Sequence, residues 1–253
     1  MRRDFAYPGA EAAEKNELKP HLRKTWCIGT LDSQFLARME QILWLYQQPY
    51  DARFPVVCFD ERPCFLIGDQ IEPLALQSGQ VRKEHYAYEK QGSCALLAAI
   101  EPRTGKRLAQ VHSQRTKREY MLFFKELAAA FPQAVKIRVV QDNLNTHNAS
   151  SFYQHLPAAE AFALAQRFEF YYTPKSASWL NMIEIEFSAL ARQGLDRRIP
   201  SLDQLREEVL AIVAERDRKA IKITWQFTVE TARTKLNRGY QQVHPENEKY
   251  KKT

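Results

Sequence analysis

No stretch of the 253 residues approaches the roughly twenty consecutive apolar residues that cross a bilayer. The opening residues, MRRDFAYPGAEAAEKNELKP, hold no apolar core of a secretion signal. A membrane or secreted protein is therefore not expected, and a cytoplasmic one is. Cysteine is scarce, and the four present (Cys27, Cys58, Cys64 and Cys94) form no CxxC pair. Cys58 and Cys64 lie in apolar segments, which suits buried, reduced thiols rather than disulfides or a zinc site. His21, His85, His112, His147, His155 and His244 show no metal-ligand spacing, so imidazole ligation is not expected. Internal repeats and low-complexity tracts are absent as well.

What is present is an ordinary globular composition, 45% hydrophobic and 26% charged. A chain this long can bury a sizeable core, as one large domain or one domain with an appendage. The net charge is +7. Its distribution is uneven: ten Lys and Arg stand against four Asp and Glu from Arg216 onward. A basic C-terminal arm over 221–253 suits a polyanionic partner, each neutralised phosphate adding salt-dependent affinity; a solvated tail is the plainer reading of the same charges.

Asp32 reads as the N-cap of a helix through about Tyr46, with Phe35, Leu36, Met39, Ile42, Leu43 and Tyr46 at helical spacing. VVCFDE (56–61) and CFLIGD (64–69) read as two short strands joined at Arg62-Pro63. A hairpin follows, turning over 102–106, then an amphipathic helix over 116–131 and the strand KIRVVQD. Beyond it come a helix interrupted near Pro157, the strand FEFYY, the loop PKSASW, the helix LNMIEIEFSALARQ and a helix capped by Ser201. The order predicts a mixed α/β fold, a central sheet flanked by helices.

Three acids hold telling places in this order. Asp60 stands near the end of the first strand, Asp142 ends the strand after the 116–131 helix, and Glu184 lies in the first turn of a late helix. Neighbouring strands lie about 4.8 Å apart, so carboxylates ending adjacent strands can share a cation. Oxygen-only ligands suit Mg²⁺, and two such ions serve phosphodiester cleavage. For the stretch QDNLNTHNAS the plainer reading is turn and cap chemistry. Helical periodicity does not separate Glu184 from Glu186: they flank the apolar face of Leu180, Ile183, Phe187 and Leu190 on opposite sides.

The blocks CFDE, QDNLNTH and SWLNMIEIEF, in this order, resemble the catalytic blocks of DDE transposases of the mariner superfamily, and most closely the bacterial insertion-sequence-630 branch. The resemblance runs from about Glu14 to Arg238, through KNELKPH, PYDARFPVVCFDE, FYYTPKSASWLN and LDRRIPSLDQL. It implies an RNase H-like fold, two Mg²⁺ or Mn²⁺ ions, and DNA as partner, cut and joined at transposon ends by a homodimer in a nucleoid-associated setting. By motif position the metal-binding catalytic triad falls on Asp60, Asp142 and Glu184, the last selected by its N-x-x-E spacing from Asn181. Glu61, Asn143, His147 and Asn181 are implied as supporting or DNA-proximal groups; for His147 the plainer alternative is a helix-start or loop histidine. Asp69 is a further acid, read as peripheral.

Basic residues near these blocks are candidates for phosphates. Arg115, Lys117 and Arg118 open the 116–131 helix, Lys175 precedes Trp179, and Arg192, Arg197 and Arg198 follow the Glu184 helix. Trp179 is a candidate for base stacking, with packing as the plainer role. The resemblance also implies helix-turn-helix modules ahead of the catalytic domain. Residues 1–50 are expected to be a connector and remnant of that region and 51–220 the catalytic domain, so sequence-specific end recognition is not expected of this chain. An RNase H-like nuclease without strand transfer, or an inactive DNA-binding remnant, are the alternative functions.

Overall fold

The computed structural model describes residues 31–71, 79, 85–144 and 147–250. Helix α1 (Ser33–Gln47) starts where Asp32 Oδ1 accepts the Phe35 amide at 2.7 Å. Strands β1 (Val56–Asp69), β2 (Tyr88–Glu101) and β3 (Lys106–His112) form an antiparallel meander. Helix α2 (Lys117–Ala130) opens with a capping box between Thr116 and Glu119. Strand β4 (Ile137–Gln141), the short helices α3 (Ser150–His155) and α4 (Ala158–Ala165), and strand β5 (Phe168–Tyr172) follow. Helix α5 (Ile183–Leu190) runs into a π turn at Ala191–Leu195. Helix α6 (Leu202–Arg218) is capped by Ser201, and α7 (Val229–Lys235), α8 (Asn237–Val243) and a 3-10 helix (Pro245–Tyr250) complete the described chain. No described helix is long and apolar enough to cross a membrane.

The described strands form one mixed sheet of order β3-β2-β1-β4-β5, in which β4 pairs parallel with both β1 and β5. Two-residue alternation sends the strand side chains to two cores. Val57, Phe59, Leu97 and Val139 meet Tyr120, Phe123, Phe124 and Phe152 on the α2–α3 face. Cys58, Leu96, Ile100 and Val140 meet Ile183, Phe187 and Leu190 of α5 and Leu205, Val209 and Val213 of α6 on the other. The sheet is thus covered on both sides, as the sequence order predicts.

The expectation of two strands over 56–69 is corrected: β1 is a single strand with Pro63 inside it, opposite Ala95. β4 pairs with β1 only along Val56–Cys58, so the β4-side edge of β1 is not paired further along. The Phe59 carbonyl points to that edge, where Asn181 Nδ2 donates to it at 2.8 Å. Alternation puts the Pro63 nitrogen on the same edge, where a missing N–H breaks no ladder bond. Cys64 pairs in register with Cys94, and both, with buried Cys58, are free thiols; Cys27 lies outside the described residues.

Neither chain end behaves as an appendage in the described part. Ile42, Leu45 and Tyr46 of α1 belong to the same core as Cys58 and Ile183, and Tyr46 Oη donates to the Leu180 carbonyl at 2.8 Å. A boundary at residue 50 therefore divides a packed unit. The expected basic arm after residue 220 is, through residue 243, largely a folded layer. Trp225 meets Tyr46 edge-on at 5.5 Å, and Glu40 of α1 accepts from Arg233 at 2.7 and 2.8 Å and from Tyr240 Oη at 2.6 Å. Its route passes the β2–β3 turn, where Ile223 N donates to the Pro102 carbonyl.

That passage makes Gly105 a sensitive point. Its φ is +82°, and a Cβ added there would stand 2.6 Å from the Ile221 carbonyl oxygen. Gly105→Ala is expected to lower stability by about 2–3 kcal/mol, from left-handed backbone strain together with a clash against main chain. Urea unfolding measures it; an unchanged midpoint would mean that the 220–223 segment does not pack on this turn.

Candidate active site

The β1–β4 ladder pairs Val56 with Arg138, Val57 with Val139 and Cys58 with Val140. Continued by two residues, the same register sets Asp60 beside Asp142, on the strand faces that Cys58 and Val140 present to α5. The two strands thus deliver both carboxylates to one end of the sheet, just past the point where their pairing stops. Asn181, itself buried, reaches β1 from the turn before α5 and holds the Phe59 carbonyl, one residue short of Asp60. Its own carbonyl accepts the Glu184 amide at 3.2 Å. One side chain thereby fixes the first turn of α5 against the strand carrying Asp60.

The charges of the three acids act on one another. Burial, then the charges of Asp142 and Glu184, outweigh a hydrogen bond from the Glu61 amide and push the Asp60 carboxyl up to about 7. Among the described residues no three acidic, histidine or cysteine side chains already converge tightly enough to enclose an ion. Glu184 is turned to solvent and Asp142 toward His147. The donor set is all oxygen and hard, carried inside β1, on the residue after β4 and on one helix start, and this chemistry fits Mg²⁺ or Mn²⁺.

His147 is fully buried between two acids. Its Nδ1 bonds Asp142 Oδ1, and its Nε2 stands 3.6 Å from Glu61 Oε1, an ion-pair distance rather than a hydrogen bond. Burial alone would lower its pKa, but the two carboxylates outweigh burial and raise it to about 9. The ring stacks on Tyr120 at 5.1 Å and meets Phe59 edge-on at 5.4 Å. Gln141 locks the turn: it accepts from Tyr120 Oη at 3.0 Å and donates to the His147 carbonyl at 2.8 Å. Tyr120 lies outside the motif blocks, and Gln141, although it opens the block QDNLNTH, is given no role by it; an amide closing an apolar strand is the signal that marks it. Glu61 is also met by Arg115 at 3.3 Å, a half-exposed guanidinium and so a weak contact.

Burial separates the two glutamates that periodicity does not. Glu186 is 2% exposed and clasped by two guanidiniums. Arg107 of β3 donates to it at 2.8 and 3.2 Å, and Arg216 of α6 at 2.6 and 3.0 Å. Burial pushes its carboxyl up, and these four charge-assisted bonds more than offset this, holding it below the ordinary glutamate range. Nothing local in the sequence marks Arg107 and Arg216 as partners of Glu186.

Of the expected phosphate-binding residues, two are otherwise engaged. Arg198 donates to Asp69 Oδ1 at 2.5 Å and to the His85 carbonyl at 2.8 Å, tying the far end of the β1–β2 hairpin to the segment before α6. Arg197 pairs with Glu208 and donates to the Gly194 carbonyl at 3.2 Å. Both guanidiniums are thus engaged in contacts within the protein, and Asp69 is a partner of Arg198 away from the triad. Trp179 is partly buried and packs edge-on against Phe227 at 5.5 Å beside the core joining α1, α7 and α8. Arg192 is exposed on the π turn. Asn143 and Lys175 are exposed and line, with Asp142, a cavity of about 640 Å³.

The family described as DDE superfamily endonuclease matches residues 55–206. Among solved structures the chain is similar to the Mos1 strand transfer complex, with 13% identity and a TM-score of 0.53, over 98% of this chain and 73% of that one. It is similar to the Mos1 transposase paired-end complex with left transposon end at 13% identity and TM-score 0.53, over 97% and 76%. The Mos1 mariner paired end complex with Mn follows at 14% identity and TM-score 0.50, over 98% and 77%. These likenesses establish the fold: a mixed five-stranded sheet flanked by helices, of RNase H-like type. No curated protein matches the sequence.

Two measurements probe this site directly. Glu186→Gln leaves two guanidiniums uncompensated and is expected to cost about 3–5 kcal/mol of stability, whereas Glu184→Gln on the exposed side leaves the melting temperature unchanged. Equal melting of the two variants would refute the assignment. Asp60 and His147 both have raised pKa values, so each contributes stability that is complete at low pH and lost as pH rises. For Asp60 the loss spans about pH 4 to 7 and for His147 about 6.5 to 9. The metal-free protein should therefore lose part of its stability from these groups across pH 4–9, and Asp60→Asn should flatten the lower half of that profile only.

Proposed function

We propose, from the premise that the chain belongs to the DDE superfamily of endonucleases, that it is a transposase catalytic domain cutting and joining DNA through Asp60, Asp142 and Glu184. The observation that carries this reading is the β1–β4 register, which sets Asp60 beside Asp142 at one end of the sheet, with Asn181 bringing the Glu184 turn to the same strand. Three oxygen donors so placed suit two divalent ions. Such ions, when bound, activate the attacking oxygen and stabilise the leaving one in phosphodiester exchange.

The chain's own residues have separable tasks in this scheme. Asp60 is presented by β1 and Asp142 by the residue position that follows β4. Asn181 positions the first turn of α5 and with it Glu184. His147, held protonated at neutral pH by Asp142 and Glu61, engages Asp142 Oδ1 and fixes that carboxylate's orientation. Exposed Asn143, Lys175 and Arg192 are the remaining candidates for contact with DNA beside the triad.

The finer assignment is to the mariner superfamily and its bacterial insertion-sequence-630 branch, on the blocks CFDE, QDNLNTH and SWLNMIEIEF. Two copies acting on two transposon ends are part of this proposal. The catalytic unit, read with the packing of α1 and of α7–α8, extends on both sides of the 51–220 span.

The test is a metal-dependent reaction on DNA. With Mg²⁺ or Mn²⁺ the protein should nick duplex DNA and join a pre-cut transposon end to a target. Asp60→Asn, Asp142→Asn and Glu184→Gln should each lower both reactions by at least about a thousandfold while melting as folded proteins, in line with the loss of a central electrostatic contributor. Cleavage without joining would identify a nuclease instead; full activity in any of the three variants would remove that residue from the triad.

A further inference from the structure

Arg38 lies on α1, outside every sequence block that carries the chemistry. In the structure it faces the site. The cavity of about 640 Å³ beside Asp142 is lined also by Arg38, together with Asn143, Thr173, Lys175 and Ser178. A second cavity of about 340 Å³ continues from it along the start of α1, sharing Arg38, Pro174, Lys175 and Ser176 and adding Gln34. The two cavities meet at Arg38 and Lys175, so a single trough runs from Asp142 to the start of α1. Arg38 also bears electrostatically on Tyr172, at the end of β5.

The walls of this trough are held in place. The Thr173 amide donates to the Gln141 carbonyl at 2.9 Å, continuing the β4–β5 ladder by one rung. Ala177 and Leu180 are buried in the core formed with α1, against Phe35 and Met39. Between these anchors Lys175 and Ser176 protrude, and Ser176 has a φ of +60°. A left-handed serine is a strained backbone that the anchored ends maintain. The trough's two cations come from different elements, one helical and one on this loop. Its two acids are Asp142 itself and Asp32, whose Oδ1 is taken up by the Phe35 amide.

We propose that this trough is the path of the DNA strand leading to the reacting phosphate, with Arg38 and Lys175 binding successive phosphates on the side of α1. The assignment rests on the transposase reading and deepens it by naming where the substrate strand runs. The chemistry recognised is a phosphodiester backbone, not a base: cations with hydroxyl and amide groups contact phosphate and sugar and carry no sequence code. It also gives α1 a role at the site: the helix contributes Arg38 to a lining shared with the Thr173–Ser178 loop.

Binding of a labelled single-stranded oligonucleotide and of a duplex, in Ca²⁺ over a salt series, tests the path. Removing a cation that neutralises one phosphate should reduce the slope of log affinity against log salt by about one. Arg38→Gln and Lys175→Gln should each do so and weaken binding severalfold, the double variant should add the two effects, and Arg38→Lys should restore the slope. Lys136→Gln, at the opposite end of β4 and bonded to Gln166, should change little. Unchanged slopes in both variants, with the wild type binding and cleaving DNA, would overturn the path and leave the transposase reading intact. A wild type that neither binds nor cleaves DNA would overturn both. An equal weakening in Lys136→Gln would mean diffuse charge, which also overturns the path. If Arg38→Gln melts early, Lys175→Gln on its exposed loop decides alone.

Discussion

Everything about the orientation of α5 depends on a buried carboxylate that must be neutralised. Residues 184 and 186 are two helical steps apart, about 200° around the axis. Burying Glu186 between Arg107 and Arg216 therefore compels Glu184 to the opposite side. The clasp draws on β3, α5 and α6 at once, so it sets the roll of the helix as well as its position. Arg107 is further bound to the Gly105 and Ile221 carbonyls and to Asp217 at 3.2 Å, so the same guanidinium holds the turn over which the C-terminal layer passes. A hydrophobic side chain at 186 could fill the space, but no apolar contact would specify rotation as two forked donors do.

The sheet supplies the other half of the geometry. Parallel pairing between β1 and β4 fixes which residues of two distant segments stand side by side, and a slip of one residue would turn Asp60 to the α2 face. The pairing ends at Cys58 and Val140, leaving the acids at the mouth of the divergence between strands, where an open α/β sheet offers a crevice. His147 then sits behind Asp142 as a buried cation, walled by Phe59 and Tyr120.

Much of the architecture was legible because local chemistry and tertiary structure agree. The Asp32 and Ser201 caps, the hairpin over 102–106, the helix ended before Pro132 and the strand expected to end at Asp142, which closes one residue earlier at Gln141, follow from periodicity and turn chemistry. Asp142 was visible as an acid closing a strand, whereas Asp60, expected near a strand end, stands inside the longer β1. What stayed hidden depends on partners remote in sequence. Pro63 inside β1 is tolerated only because of which edge its nitrogen faces, and no local pattern reports that. Glu186 differs from Glu184 only through Arg107 and Arg216. Arg197 and Arg198 look like free cations until Glu208 and Asp69 are brought to them. The segment carrying the charge surplus after Arg216 resembled an arm, yet Tyr240 and Ala232 anchor it to α1, a contact across about 200 residues, while most of its cations stay at the surface.

The far half of the β1–β2 hairpin stands apart from these constraints. At Leu66 and Ile67 the β1–β2 register skips Gln91, and the Ile67 amide turns instead to the Ile199 carbonyl at 2.9 Å, close to where Arg198 grips Asp69. Asp60 is fixed before that point and Asp142 lies on another strand, so residues beyond the skip are outside the geometry of the acids. Extra length there costs closure entropy that rises only logarithmically with the number of residues added. Segments inserted between β1 and β2 would therefore add surface without disturbing the register that sets Asp60 beside Asp142.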